Sequence, residues 1–235
     1  MYARNTNRKI YYVDETHIKD CLDEGHKVTP TVPRKDLIII HIGSETGFLE
    51  QGLLIFESEQ TGNCHEGMNS DVFEDWFRSV LPYTELDAVI VMDNTTYHNR
   101  QLEKPSSPWG KSEIVENIKC KKENDHKYAV DEMAAVRGIT VLRLPPYHNE
   151  LNPMELIWTK IKNGVSEENT TFNLENLKLL VKKQINRISA KTWSECVVHV
   201  QNEEQRLWDL AIVNDALVDP VVTTESHPCN NGSDR

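Results

Sequence analysis

The chain has 235 residues, enough for one well-packed α/β domain and too few for two large ones. No apolar run approaches the roughly 20 residues of a membrane span, and Met1 to Lys9 lacks the apolar core of a signal peptide, so nucleus or cytoplasm is the expected compartment. The formal charge of −11 argues against tight, unaided, nonspecific binding to nucleic acid.

Lys9 to Asp14 reads as a strand rich in aromatic and β-branched residues, and residues 19 to 33, with Gly25, Pro30 and Pro33, read as a loop. Asp36 to Ile42 is a nearly continuous apolar run, the pattern of a central strand buried on both faces. Gly52 to Phe56 is a third strand, and the three together suggest an antiparallel meander. Asn69 or Ser70 can cap a helix whose apolar face is Val72, Phe73, Trp76, Phe77 and Val80, with Pro82 ending it. Asp87 to Asp93 is the next strand. Thr95 to Gly110 is irregular, followed by expected helices over 111–119 and 126–137, with Gly138 as a stop. Ile139 to Leu144 alternates as a strand and halts at Pro145-Pro146. A helix from Pro153 carries Met154, Ile157, Trp158, Ile161 and Val165 on one stripe, and two more follow over 174–188 and from Ala190 to about Leu210. Residues 211–235 are expected to form a disordered acidic tail; from Gln201 to Arg235 there are seven acids and two bases. Strands first, then strands alternating with helices, is a mixed-sheet α/β pattern in one domain over 1–210.

Five cysteines are scattered with no CxxC pair, which weakens zinc-ribbon and disulfide-scaffold readings. Cys64-His65 lacks a spaced second pair and reads as a loop thiol beside a loop imidazole.

Three carboxylates carry the chemistry. Asp14 and Asp93 end apolar strand-like runs, and Glu155 lies in the first turn of a helix. Divalent ions prefer carboxylate and water oxygens, and phosphoryl transfer by two metals uses ions roughly 3.5–4 Å apart. Each acid also has a plainer reading. Asp14 and Asp93 could open turns, and which of Asp14 and Glu15 points inward is open because strand alternation separates them. Asn152-Pro-Met-Glu155 fits a capping box, and spacing cannot separate capping from metal ligation. His98 reads as a solvated loop residue or as a contact to substrate or water.

Leu144-Pro-Pro-Tyr-His-Asn-Glu-Leu-Asn-Pro-Met-Glu-Leu-Ile-Trp158 resembles the signature of mariner-type transposases of the DDE superfamily, with Glu155 in the position of the third catalytic acid. Val91 to His98 resembles the second-acid motif and Tyr12 to Thr16 the first, and the resemblance covers roughly residues 9–200. It implies a ribonuclease-H-like fold and metal ligation by Asp14, Asp93 and Glu155. It also implies Mg2+ or Mn2+ as cofactor, DNA as partner, a homodimer, and hydrolysis and strand transfer at transposon ends in the nucleus. A truncated or domesticated copy that binds nucleic acid or protein without catalysis is the alternative.

Three features depart from the family pattern. Thirteen residues precede Asp14, too few for a helix-turn-helix module, so the DNA-reading function is expected to come from another chain or to be lost. Sixty-one residues separate Asp93 from Glu155, longer than usual in the family, which suggests an insertion at about 99–138. The net charge is acidic. Two basic groups could contact phosphates: Lys178, Lys182, Lys183, Arg187 and Lys191, and Lys119, Lys121, Lys122 and Lys127 in the insertion.

Overall fold

A computed structural model of the chain describes residue 4 and residues 7–19, 35–59, 68–102, 128–170 and 173–218. The expected helix over 111–119, Cys64-His65, the insertion's lysines and residues 219–235 lie outside the described residues.

Six strands form one mixed sheet: β1 (Ile10–Lys19), β2 (Lys35–Ser44), β3 (Gly47–Phe48), β4 (Leu54–Glu59), β5 (Val89–Met92) and β6 (Thr140–Arg143). The order is β3-β2-β1-β5-β6, with β4 also beside β2. β2 is antiparallel to β1, β3 and β4, whereas β5 and β6 run parallel to β1. The expected meander is present. Its third strand is interrupted, because the tight turn Glu50–Gly52 divides β3 from β4 along the same edge of β2.

β2 is the centre of the meander, and Leu37 to Ile40 and Ile42 are wholly buried. β1 runs well past its expected end at Asp14. Its pairing with β2 continues from Tyr12↔Gly43 to Lys19↔Asp36, so the ladder hydrogen bonds carry the strand on through a polar stretch. Asp14 therefore lies in mid-strand, not at a strand end.

Alternation along β1 and β2 divides the core into two layers. One face of the sheet packs Tyr11, Val13, Ile40, Ile42 and Ile90 on helix α1 (Ser70–Val80) and helix α2 (Ala129–Ala135). Asn69 caps α1 by accepting from the Val72 amide at 3.0 Å; of the face the spacing predicts, Phe73, Trp76, Phe77 and Val80 are buried and Val72 is half-buried. The other face packs Tyr12, Leu37, Ile39, Val89 and Val91 on helices α3 (Pro153–Glu168), α4 (Leu174–Arg187) and α5 (Ala190–Val218). All five apolar residues expected on the α3 stripe are buried. Gly43 lets α5 approach β2, since a Cβ there would lie 2.3 Å from the Trp193 ring. α5 continues past the expected end near Leu210 to Val218. The resulting helix–sheet–helix layering is the ribonuclease-H-like mixed α/β fold that the motifs imply.

Candidate functional site

The ladder between β1 and β5 pairs Ile10 with Val89, Tyr11 with Ile90 and Tyr12 with Val91. The same offset continued along both chains sets Asp14 level with Asp93. Asp93 directly follows β5, at its carboxyl end, where α/β sheets commonly bind ligands.

Asn152 ties the start of α3, the helix that carries Glu155, to β1. Its buried side chain donates through Nδ2 to the carbonyl oxygen of Val13 at 3.0 Å and accepts from the Met154 amide at 3.2 Å. One residue therefore caps α3 and fastens its N-terminus to β1, beside Asp14. The Asn152 amide donates to the Asn149 carbonyl at 2.8 Å, so the capping box that the sequence allows does not form. The Glu155 carboxylate makes no hydrogen bond among the described residues.

The charges of Asp93 and Glu155 both act on Asp14. Asp14 is only 7% exposed, and its Oδ2 has no hydrogen-bond partner. Burial pushes its carboxyl well above the usual range, and the charges of Glu15, Glu155 and Asp93 push it further. Burial also raises Glu155; Lys162 opposes this and Asp93 adds to it.

Asp14 and Glu15 point to opposite faces. Asp14 shares the α3 face with Tyr12, whereas Glu15 turns toward α1 and is engaged by His98. The loop reading of His98 as solvated does not hold, because the side chain is completely buried. Its Nε2 lies 3.0 Å from Glu15 Oε1, and its Nδ1 lies 3.1 Å from the Asp93 carbonyl oxygen. Nδ1 is also 2.8 Å from Asp93 Oδ1, without the alignment of a hydrogen bond. Burial alone would lower the His98 pKa, but the charge of Glu15 and the contacts to Asp93 outweigh it and hold the imidazole up to about 10. The ligand atoms of Glu15, Asp93 and His98 all lie within 4.8 Å of one another.

Arg143 on β6 braces the same loop. It donates to the His98 carbonyl at 3.0 Å, to Asp131 at 2.8 Å and to Asn99, while its guanidinium lies 4.4 Å from the Tyr128 ring centre. Asn99 in turn donates to Asn94 and to the Thr95 carbonyl. The sequence raised Glu15 only as an alternative to Asp14, and it did not point to Arg143, because neither residue is near His98 along the chain; the only local signal was a histidine five residues after the strand-end aspartate.

The basic stripe of α4 is largely spent on the fold. Lys178 pairs with Glu57 and Glu175, and both Lys183 and Arg187 pair with Glu168. Lys191 lies 4.0 Å from Glu195. Lys182 is exposed and has no ion pair among the described residues.

Comparison with known proteins completes the picture. The family described as DDE superfamily endonuclease matches residues 56–178, a stretch that holds Asp93 and Glu155 but not Asp14. Two solved structures share the fold. The mariner Mos1 paired-end complex with Mg gives a TM-score of 0.56 at 12% identity, over 90% of this chain and 58% of that one. The Mos1 mariner paired-end complex with Mn gives 0.52 at 11% identity, over 84% and 55%. This chain thus spans little more than half the length of those two transposase chains. No curated protein matches the sequence. With the matched family covering more than half of the 235 residues, the chain belongs to the DDE superfamily endonucleases.

Proposed function

We propose that this chain is a transposase-like catalytic domain that holds divalent cations, Mg2+ or Mn2+, on Asp14, Asp93 and Glu155, and that it cleaves and joins DNA phosphodiesters. The observation that carries this reading is the Asp14 carboxylate. It is buried, has no hydrogen-bond partner at Oδ2, and sits among the charges of Asp93 and Glu155. An unpaired buried charge is costly, and hard cations seek carboxylate oxygens of this kind, so the donor set fits the group. Bound metal in such a site lowers the pKa of an attacking water or hydroxyl and offsets charge on the phosphoryl and leaving oxygens.

The chain's own residues supply rigidity. Asp14 is fixed by ladder pairing on β1, Asp93 by the braced loop after β5, and Glu155 by the Asn152 pin on α3. Rigid placement lets the carboxylates act without reorganising during the reaction. DNA as the partner is supported by the family, whose description is an endonuclease, and by the two similar chains having been solved as paired-end complexes. Homodimer formation and a nuclear location rest on the family resemblance.

The alternative is a truncated or domesticated copy that binds nucleic acid or protein without catalysis. The ion-paired lysines of α4 favour weak contact with phosphates. They give no reason for an orphaned buried carboxylate, which the catalytic reading explains.

Calorimetric titration of Mn2+ into wild type and Asp93→Asn, followed by a duplex-nicking assay, tests the proposal. Wild type is expected to bind metal and nick, and the variant to lose both. Equal metal binding by the two proteins, with no nicking by either, would overturn it.

A further inference from the structure

We propose that His98, clamped by Glu15, is a positioning residue for Asp93: it fixes the loop after β5 so that the Asp93 carboxylate keeps one orientation toward a bound divalent cation. The inference rests on the metal reading of Asp14, Asp93 and Glu155.

His98 is fully buried, its ring centre 4.1 Å from that of Phe73 and 4.7 Å from that of Tyr97, which meets it edge-on. Such packing leaves the imidazole little freedom to rotate. Both ring nitrogens are engaged. Nε2 meets Glu15 Oε1 at 3.0 Å, and Nδ1 meets the Asp93 carbonyl at 3.1 Å with the Asp93 carboxylate beside it at 2.8 Å. A ring facing acceptors at both nitrogens has no lone pair to offer a metal. The Glu15, Asp93 and His98 cluster is therefore a clamp rather than a second metal site.

The clamp joins two strands at the level of the acids. Glu15 directly follows Asp14 on β1, and His98 belongs to the loop that starts at Asp93. Glu15 is itself held: its side chain is 5% exposed, and the Tyr97 hydroxyl lies 3.5 Å away. From the third strand, Arg143 donates to the His98 carbonyl at 3.0 Å. Strands β1 and β6 thus grip one loop from two sides, and the loop determines how Asp93 points. Partners of this kind, which orient a metal-ligating side chain from behind, commonly tune metal affinity.

The test is Mn2+ titration by calorimetry on the full chain, with a melting temperature for each protein. Glu15→Gln keeps the side-chain shape and an acceptor for His98. The double variant Glu15→Gln/His98→Gln removes both charges of the Glu15–His98 pair together, so that neither is left without the other. Each folded variant is expected to bind Mn2+ about 10–100-fold more weakly than wild type, Glu15→Gln less affected than the double variant. Wild-type affinity in either folded variant overturns the proposal. So does a lowered melting temperature with unchanged affinity, because the clamp would then serve stability alone. A wild-type protein that binds no Mn2+ overturns the metal reading itself, and this inference with it.

Discussion

Asp14 is an ionisable group the fold disfavours when charged. Burial and three neighbouring carboxylates raise its folded pKa well above the usual 3.8. The folded state therefore holds this proton more tightly than the unfolded state does. The sign follows: in metal-free protein, the stability linked to this group is fully present below about 3.8 and is lost as pH rises through the raised value. Asp14→Asn removes that loss and is expected to make metal-free protein more stable than wild type at neutral pH. Denaturant titrations of both proteins at pH 4 and pH 7 measure it, and an unchanged gap between them would count against the site. Tyr147 offers a second residue-scale test. It is 99% exposed with φ +66, in a turn closed by the His148 amide donating to the Pro145 carbonyl. Left-handed backbone costs a bulky residue energy that asparagine largely avoids. Tyr147→Asn is expected to raise stability by about 0.5–1 kcal/mol, read as a higher melting temperature.

At the scale of elements, α3 carries Glu155, and one side chain ties its start to the sheet. Asn152 both caps the helix and bonds to Val13 of β1. Asn152→Ala removes the cap and leaves the Val13 carbonyl without that bond, at a cost of about 1–2 kcal/mol. Because the helix start would then be free to shift, Mn2+ affinity is expected to fall as well. A loss of stability with full metal affinity would show that packing by Met154, Ile157, Trp158 and Ile161 suffices to place Glu155. The apolar stripe of this helix was readable from its spacing, since a 3.6-residue period follows from local geometry. Whether Glu155 caps or faces the site was not readable, because both uses put a carboxylate in the same helical position.

Across the whole molecule, the sheet order unites acids that are remote in sequence. β1 pairs with β5 only after β2, β3, β4 and α1 have intervened, and that crossover brings Asp14 level with Asp93. The cluster adds repulsion to a chain whose net charge is already −11. On the metal reading proposed above, a bound cation would relieve it and stabilise the folded state by mass action, about 2.7 kcal/mol at one hundred times the dissociation constant. Mn2+ is therefore expected to raise the melting temperature of wild type and to leave Asp93→Asn nearly unmoved, as a thermal-shift assay would report.

Local chemistry, written in the chain itself, determined the strands, most helix bounds, the α3 stripe and the three candidate acids. It also carried the family motifs, since these are runs of adjacent residues. Of the local readings that changed, two did so for reasons that were not local. β1 continues past Asp14 because β2 supplies the ladder partners, and His98 is buried because Phe73, Glu15 and Arg143 surround it. The decisive bonds join residues 83 and 139 positions apart, His98 to Glu15 and Asn152 to Val13. No pattern of neighbours encodes such distances. Only the tertiary structure decided that Asp14 turns to the metal-facing side proposed here while Glu15 turns back to hold the loop, because the pleat sends successive side chains to opposite faces and the packed layers determine what each one meets.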